Sequence, residues 1–415
     1  MRTKIRLSAA LVCLVFSAGA QSALPESDLL TLSAAVSKAQ ANAPQLQQAD
    51  ATLRAADANV NLSGLRPNPT LSVEADNVMG SGRYAGFGGG EKTVSLSMPL
   101  ELGGKREARV RVAQAERTAA GIATRTALAE LTLQVTEAFV KLAANERQGQ
   151  IAKTNFELAE RSYQAAHERV RAGRASPIEE QRADVLRINA EVRLGKATRA
   201  VELARSSIAR LTGAPTQVHI VSPWFEQIER SDPISATGQS LAMAAAEADV
   251  AAASARIDAA RRERTPDLTL TAGMRRYGDT SDKAAVLAVS VPLPLFNRGT
   301  AAVSRAQAEM DRTVAARRSV GLEFEQSIAQ ADADVADAMA AALAATGPAL
   351  AAAEEAARIA RIGYREGKFP QLELIEAERS LAQTREASID ALTALHVARA
   401  RLARLQGSTS PIYKD

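Results

Sequence analysis

Three histidines, one cysteine and a scatter of carboxylates are the residues from which this chain could build a metal centre or a catalytic site. His167, His219 and His396 stand far apart, and no cysteine or histidine cluster has the spacing of metal ligands, so a fixed ligand set for zinc or cobalt is not expected. Nucleotide-binding glycine loops, nucleophile elbows and metalloprotease helices do not occur. Gly86, Gly88, Gly89 and Gly90 fall between two strand-like stretches, with no helix behind them to hold a phosphate. They read as a surface loop. What remains is scattered charge without a ligand set: neither an enzyme nor a resident cofactor is expected.

The elements that would position such charges are dictated by composition. Of the 415 residues 46% are hydrophobic but only 3% aromatic, which favours long helices with small-residue seams. The formal charge of +4 includes Arg2, Lys4 and Arg6, so the rest of the chain is nearly neutral and nucleic acid is not an expected partner. That basic start, an apolar run from Leu7 to Phe16 and the small residues Ser17 to Ala20 have the parts of a secretory signal peptide over 1–20, with cleavage after Ala20 or Ala23. Cys13 lies inside the apolar run, so the mature chain is expected to contain no thiol or disulfide. No later segment approaches the ~18 consecutive apolar residues of a spanning helix, the nearest being Ala338 to Ala345. Entry into a membrane is therefore expected through strands.

The chain repeats itself. Arg66-Pro-Asn-Pro-Thr-Leu-Ser-Val73 is echoed by Arg264-Thr-Pro-Asp-Leu-Thr-Leu270, and Arg171-Ala-Gly-Arg174 by Arg365-Glu-Gly-Lys368. Pro69 and Pro266, Pro99 and Pro292, and Gly173 and Gly367 are all separated by roughly 195 residues, the mark of one unit used twice. The first unit, 24–211, is expected to hold a helix, strands over 67–77 and 92–101, a long helix over 105–172 and a return helix over 176–211. A connector over 212–239, with Trp224, leads to the second unit, 240–406. That unit repeats the order with a helix over 240–263, strands over 266–276 and 285–295, a long helix over 299–366 kinked at Gly347-Pro348, and a return helix over 371–405. A tail follows over 407–415. Leu128, Leu131, Val135, Ala138 and Leu142 recur at 3-4 spacing, as do Phe324, Ile328, Ala331, Val335 and Ala338, so each long helix carries a coiled-coil seam.

The four strands share one pattern. Leu71 and Val73 oppose Thr70, Ser72, Glu74 and Asp76, while Val94, Leu96, Met98 and Leu100 oppose Thr93, Ser95 and Ser97. Leu268 and Leu270 oppose Thr269 and Thr271, and Leu287, Val289, Val291 and Leu293 oppose Ala288 and Ser290. An apolar face toward lipid and a polar face toward water, Glu74 and Asp76 included, suit membrane strands. Four strands cannot close and open edges are not tolerated in lipid, so several chains are required; three would supply twelve strands. Lys105 and Arg106 would then follow near the inner membrane surface, with hydrated charges.

These features together resemble the TolC-type outer-membrane efflux factors: the signal peptide, the twofold repeat, the paired hairpins and the Tyr364-x-x-Gly367 turn. Leu65-Arg-Pro-Asn-Pro-Thr-Leu71 and Pro99-Leu-Glu-Leu-Gly-Gly-Lys-Arg106 are similar to the CzcC-type branch, which serves heavy-metal exporters of the cobalt, zinc and cadmium class. The resemblance implies a mainly α chain with a small β part, forming a homotrimer. A twelve-stranded barrel would sit in outer-membrane lipid and an α-barrel would extend into the periplasm, docked on a periplasmic adaptor and, through it, on an inner-membrane RND pump. It makes Arg171, Gly173, Arg174, Gly367 and Lys368 the expected adaptor contacts at the helical tip. It also implies a carboxylate ring in the lumen from Glu373 and Glu376, which lie about one helical turn apart. Relatives pair a tyrosine three before the second tip glycine with an arginine two after it. Tyr364 fits, but Phe369 stands in the arginine position, leaving Arg365 or Lys368 as substitute partners in the gate. A conduit for drugs, solvents or a secreted protein uses the same scaffold. A soluble periplasmic coiled-coil scaffold is the alternative of a different class.

Overall fold

A computed structural model of the chain describes residues 29–216, 219–228, 240–280 and 282–413. The expected signal peptide and most of the connector's second half lie outside them.

Helix α1, Leu32–Asn42, starts on the Thr31 side chain, which accepts from the Ala34 N–H. Helix α2, Pro44–Ser63, restarts at once with proline in its first turn, where the missing N–H costs nothing. After strands β2 (Thr70–Asp76) and β3 (Glu91–Leu100), helix α3 runs unbroken over Lys105–Arg171. Its 67 residues give about 100 Å of helix. Helix α4, Pro177–Thr212, returns from it, capped by Ser176 and ended by Gly213 at a φ of 69°. Helix α5 (Leu241–Arg262), strands β5 (Leu268–Arg276) and β6 (Lys283–Ser290) and helices α6 (Thr300–Thr346), α7 (Pro348–Arg365) and α8 (Gln371–Leu405) repeat the order. The expected long helix over 299–366 is thus two helices, parted where Gly347 leaves the helical region (φ −98°, ψ −103°) ahead of Pro348. Two further strands, β1 (Leu29–Leu30) and β4 (His219–Ile220), pair in parallel; sequence reading missed both.

Strands β2, β3, β5 and β6 form one antiparallel sheet in that order, so the two hairpins join through β3 and β5. Val73, Val94, Met274 and Ala285 stand in one cross-strand row and Leu71, Leu96, Ala272 and Leu287 in the next, which gives one apolar face. Thr70, Ser97 and Thr271 share a row on the other face, where the Ser97 and Thr271 hydroxyls lie 2.8 Å apart. Strand β6 ends at Ser290, five residues short of the expected 295. Pro292 and Pro294 have no N–H to give a ladder, so Val291 and Leu293 continue the alternation in sequence without continuing the strand. Both outer strands, β2 and β6, have an open edge in the single chain.

Sheet and helices meet at a charged junction. Lys105 is only 6% exposed, with its ammonium 2.9 Å from Asp267 and 3.7 Å from Glu263, so its charge is neutralised by the second unit rather than hydrated as expected. Arg109 grips Glu101, and Arg262 donates to the Gly103 carbonyl at 2.9 Å. Gly104 and Gly299, both at a φ of 72°, start α3 and α6 in the same left-handed way.

The core lies at mid-height. Leu131, Val135, Phe139 and Leu142 of α3 are buried against Leu30 and Leu32, Ile208, Phe225, Leu392 and Leu395. Trp224 stacks on Tyr413 with ring centroids 4.1 Å apart and meets Phe139 at 6.2 Å. Tyr413, in the expected tail, also bonds to Nδ1 of His396 at 2.6 Å. Nε2 of His396 donates to the Phe225 carbonyl at 2.8 Å, which fixes the neutral tautomer with its lone pair on Nδ1. Burial is the main reason that the His396 pKa falls from 6.5 to about 4, and it raises the Tyr413 hydroxyl to about 12.

One helical stretch, Thr300–Arg365, holds an 18-residue window of mean hydropathy 1.4, contrary to the expectation that none would approach membrane-spanning composition. The stretch is alanine-rich and is interrupted at Gly347-Pro348; it touches α5 and α8, but only 6% of the window is buried, so most of its apolar surface stays uncovered in the single chain.

Candidate functional site at the helical tip

Two reversals form the tip, and they are built alike. After α3 the Arg174 N–H bonds to the Arg169 carbonyl at 2.8 Å and the Gly173 N–H to the Val170 carbonyl at 2.9 Å. After α7 the Lys368 N–H bonds to the Gly363 carbonyl at 2.8 Å and the Gly367 N–H to the Tyr364 carbonyl at 3.1 Å. Gly173 and Gly367 have φ values of 70° and 72°, a region that a side chain disfavours, and the space around each is open. Arg171, Gly173, Arg174, Gly367 and Lys368 are all exposed there. They form one solvent-facing set that includes both reversals.

The side chains beside the turns are held by charge. Tyr364 does not meet Arg365 or Lys368. Its hydroxyl accepts from Arg169, whose guanidinium also lies 5.6 Å from the ring centroid. Arg169 reaches Glu179 at 3.9 Å as well, while Lys368 turns to Glu366 at 2.6 Å. Phe369, where the resemblance implied an arginine, packs its ring on Gly363, where an added Cβ would come within 2.2 Å of it. Arg169 was missed because it is one of several arginines near the end of α3, and only the register of α3 against α7 selects it. Nearby, Nδ1 of His167 lies 2.8 Å from Glu180, and Arg361 grips Glu378 with both carboxylate oxygens engaged.

That last contact divides the acids of α8. Glu378 is paired, whereas Glu373 and Glu376 are exposed and enter no ion pair among the described residues. Three positions apart on one helix, they lie close to the same face. At the opposite end of the molecule, Glu74 and Asp76 lie on the polar face of the sheet with Glu91. Arg275 contacts Glu91 at 2.9 Å, Asp76 at 3.7 Å and the Thr93 hydroxyl at 3.0 Å. Asp76 is therefore partly compensated, and Glu74 is the open carboxylate of that face. Among the described residues no group of three or more His, Cys, Asp or Glu is placed to hold a metal ion. Open carboxylates of this kind attract cations electrostatically.

The description "Outer membrane efflux protein" matches residues 35–214 and again 233–408, so each repeat is matched in turn. The cobalt-zinc-cadmium resistance protein CzcC of Cupriavidus metallidurans is 30% identical over 91% of this chain and 90% of its own length. The nickel and cobalt resistance protein CnrC of the same organism is 30% identical over 69% of this chain and 70% of its own length. Among solved structures, the CmeC outer membrane channel of Campylobacter jejuni superposes with a TM-score of 0.77 at 15% identity, covering 92% of this chain and 87% of that one. The soluble-scaffold alternative falls with these matches. Two matched repeats, a four-stranded sheet with one apolar face and a pair of glycine-turned helical hairpins lead to one assignment: the chain belongs to the outer membrane efflux protein family.

Proposed function

We propose that this chain is the passive, trimeric conduit of a tripartite cation-efflux system, with heavy-metal ions of the cobalt, zinc and cadmium class as cargo. Three copies would supply twelve strands, pairing the open edge of β6 with that of β2 in the next chain. The tip set of Arg171, Gly173, Arg174, Gly367 and Lys368 would meet a periplasmic adaptor, which links the conduit to an RND-type pump in the inner membrane. The observation that carries the cargo reading is the open pair Glu373 and Glu376 just beyond the second reversal. In a threefold assembly they would place six carboxylates around a narrow passage, raising the local cation concentration while binding none tightly. The resistance proteins that match along most of their length favour a metal cargo over drugs, solvents or secreted protein.

The test is ion selectivity in planar bilayers. Changing Glu373→Gln and Glu376→Gln together should lower the cation-over-anion permeability ratio about tenfold without closing the channel. An unchanged reversal potential would overturn the ring. For cargo, deletion of the gene should reduce tolerance of cobalt, zinc or cadmium. Intact metal tolerance alongside sensitivity to organic drugs would transfer the conduit to the other class.

A further inference from the structure

The apolar face of the sheet turns basic at one end. The register sets Ala75, Lys92, Arg276 and Lys283 side by side across β2, β3, β5 and β6. All three cations are exposed, on the same face as Val94, Met274 and Leu287. With neighbouring strands about 4.8 Å apart, the three charges fall within roughly 10 Å. Like charges directly opposite one another repel, so the row is unfavourable unless an anion lies over it. The protein does not supply one: among the described residues none of the three enters an ion pair. Glu74, Asp76 and Glu91, the carboxylates of these strands, occupy the opposite face, where Arg275 contacts the latter two. The carboxylates, with Arg275 among them, and the three unpaired cations thus lie on opposite sides of one sheet at the same height.

The height is informative. The row borders the loop over 77–90 and the turn that begins at Tyr277, at the far end of the strands from α2, α3, α5 and α6. With the helices in the periplasm, this is the outer-leaflet end of the barrel wall, where a membrane presents phosphorylated glycolipid. Below the row, Val73, Val94, Met274 and Ala285, then Leu71, Leu96, Ala272 and Leu287, continue as an apolar wall suited to acyl chains. We infer that Lys92, Arg276 and Lys283 form a binding site for the phosphate groups of the diphosphorylated glycolipid of the outer leaflet, lipid A. The site rests on the reading of this sheet as barrel wall, apolar face outward.

The test uses the purified full-length trimer in detergent with EDTA, titrated with diphosphoryl lipid A, with the same lipid stripped of phosphate and with inorganic phosphate, binding being read by native mass spectrometry. A basic side chain near an anionic lipid surface contributes about fivefold in affinity. Lys283→Gln should therefore weaken diphosphoryl lipid A about fivefold, and the triple variant Lys92→Gln, Arg276→Gln, Lys283→Gln about a hundredfold. The charge-preserving pair Lys92→Arg and Lys283→Arg should bind as the wild type does. Equal affinity in wild type and triple variant would overturn the site, as would equal binding of the phosphate-free lipid. Displacement by millimolar inorganic phosphate would also overturn it, marking an ion site rather than a lipid one. If the triple variant does not assemble, Lys283→Gln alone decides. Trimer mobility and channel conductance report separately on the barrel. A wild-type protein that forms no channel sinks the orientation, whereas an intact channel with unchanged lipid affinity sinks the row alone.

Discussion

The equator and the tip of this molecule are held by different forces. At the equator Trp224, Tyr413, His396, Phe225 and Phe139 interlock across the first unit, the connector, α8 and the tail, with ring centroids as close as 4.1 Å and His396 fully buried. At the tip Arg169 and Tyr364, Arg361 and Glu378, and Lys368 and Glu366 are surface contacts between long flexible side chains. Buried aromatic packing costs several kcal/mol to undo, whereas an exposed ion pair contributes ~1 kcal/mol or less and weakens with salt. The same chain thus contains a waist that resists change and an end whose contacts lie within thermal reach.

The sharpest way to break this contrast is Trp224→Ala, which removes the ring stacked on Tyr413. It should cost about 3–5 kcal/mol per chain in denaturant unfolding, against less than about 1 kcal/mol for Arg169→Ala. Equal losses would erase the distinction. The next effect is one of pH. His396 is neutral when folded, with a pKa of about 4 against the ordinary 6.5, so the unfolded chain binds the extra proton between these values. Its contribution is complete above pH ~6.5 and is lost as pH falls toward 4, about 3 kcal/mol per chain in total. Arg399 and Arg147 face the ring and oppose its charging further, and the Tyr413 hydroxyl stays protonated throughout. Chemical denaturation at pH 7, 5.5 and 4.5 measures the slope, which His396→Gln should flatten; an unchanged slope would assign the acid sensitivity elsewhere. The smallest effect in stability is Tyr364→Phe, which keeps the ring but not the hydroxyl that Arg169 reaches. It should shift unfolding by less than about 1 kcal/mol yet raise the resting conductance of the reconstituted channel. Conductance identical to wild type would show that the Arg169 contact latches nothing.

Much of this architecture was legible because it is periodic. The strands announced themselves by alternation, the seams by 3-4 spacing and the tip by two glycines in equivalent turns. The errors fell where period and hydrogen bonding part company. Val291 and Leu293 extend the alternation past Ser290 although Pro292 and Pro294 cannot extend the ladder, and β1 and β4 are too short to have a period at all. The sequence predicts a kink at Gly347-Pro348 in the helix over 299–366, and Gly347 divides it outright. The partners were the least legible. Lys105 looked like a solvated lysine after two glycines, and only Asp267 and Glu263, far along the chain, bury its charge. Glu373 and Glu376 are open beside a paired Glu378, a difference that depends on where Arg361 of α7 falls against α8. Contacts between elements distant in sequence are set by packing register, which no local pattern encodes.

Helix α3 links the sheet, the waist and the tip in one element. It begins at the buried Lys105 under the sheet, passes Phe139 at the waist and ends with Arg169 and Arg171 at the tip. Uninterrupted over 67 residues, it is a single rod whose two ends each stand about 50 Å from Phe139. With the Lys105 end pinned by Asp267 and Glu263 and the middle buried around Phe139, the arm toward Arg169 is the part of the rod held only by surface contacts.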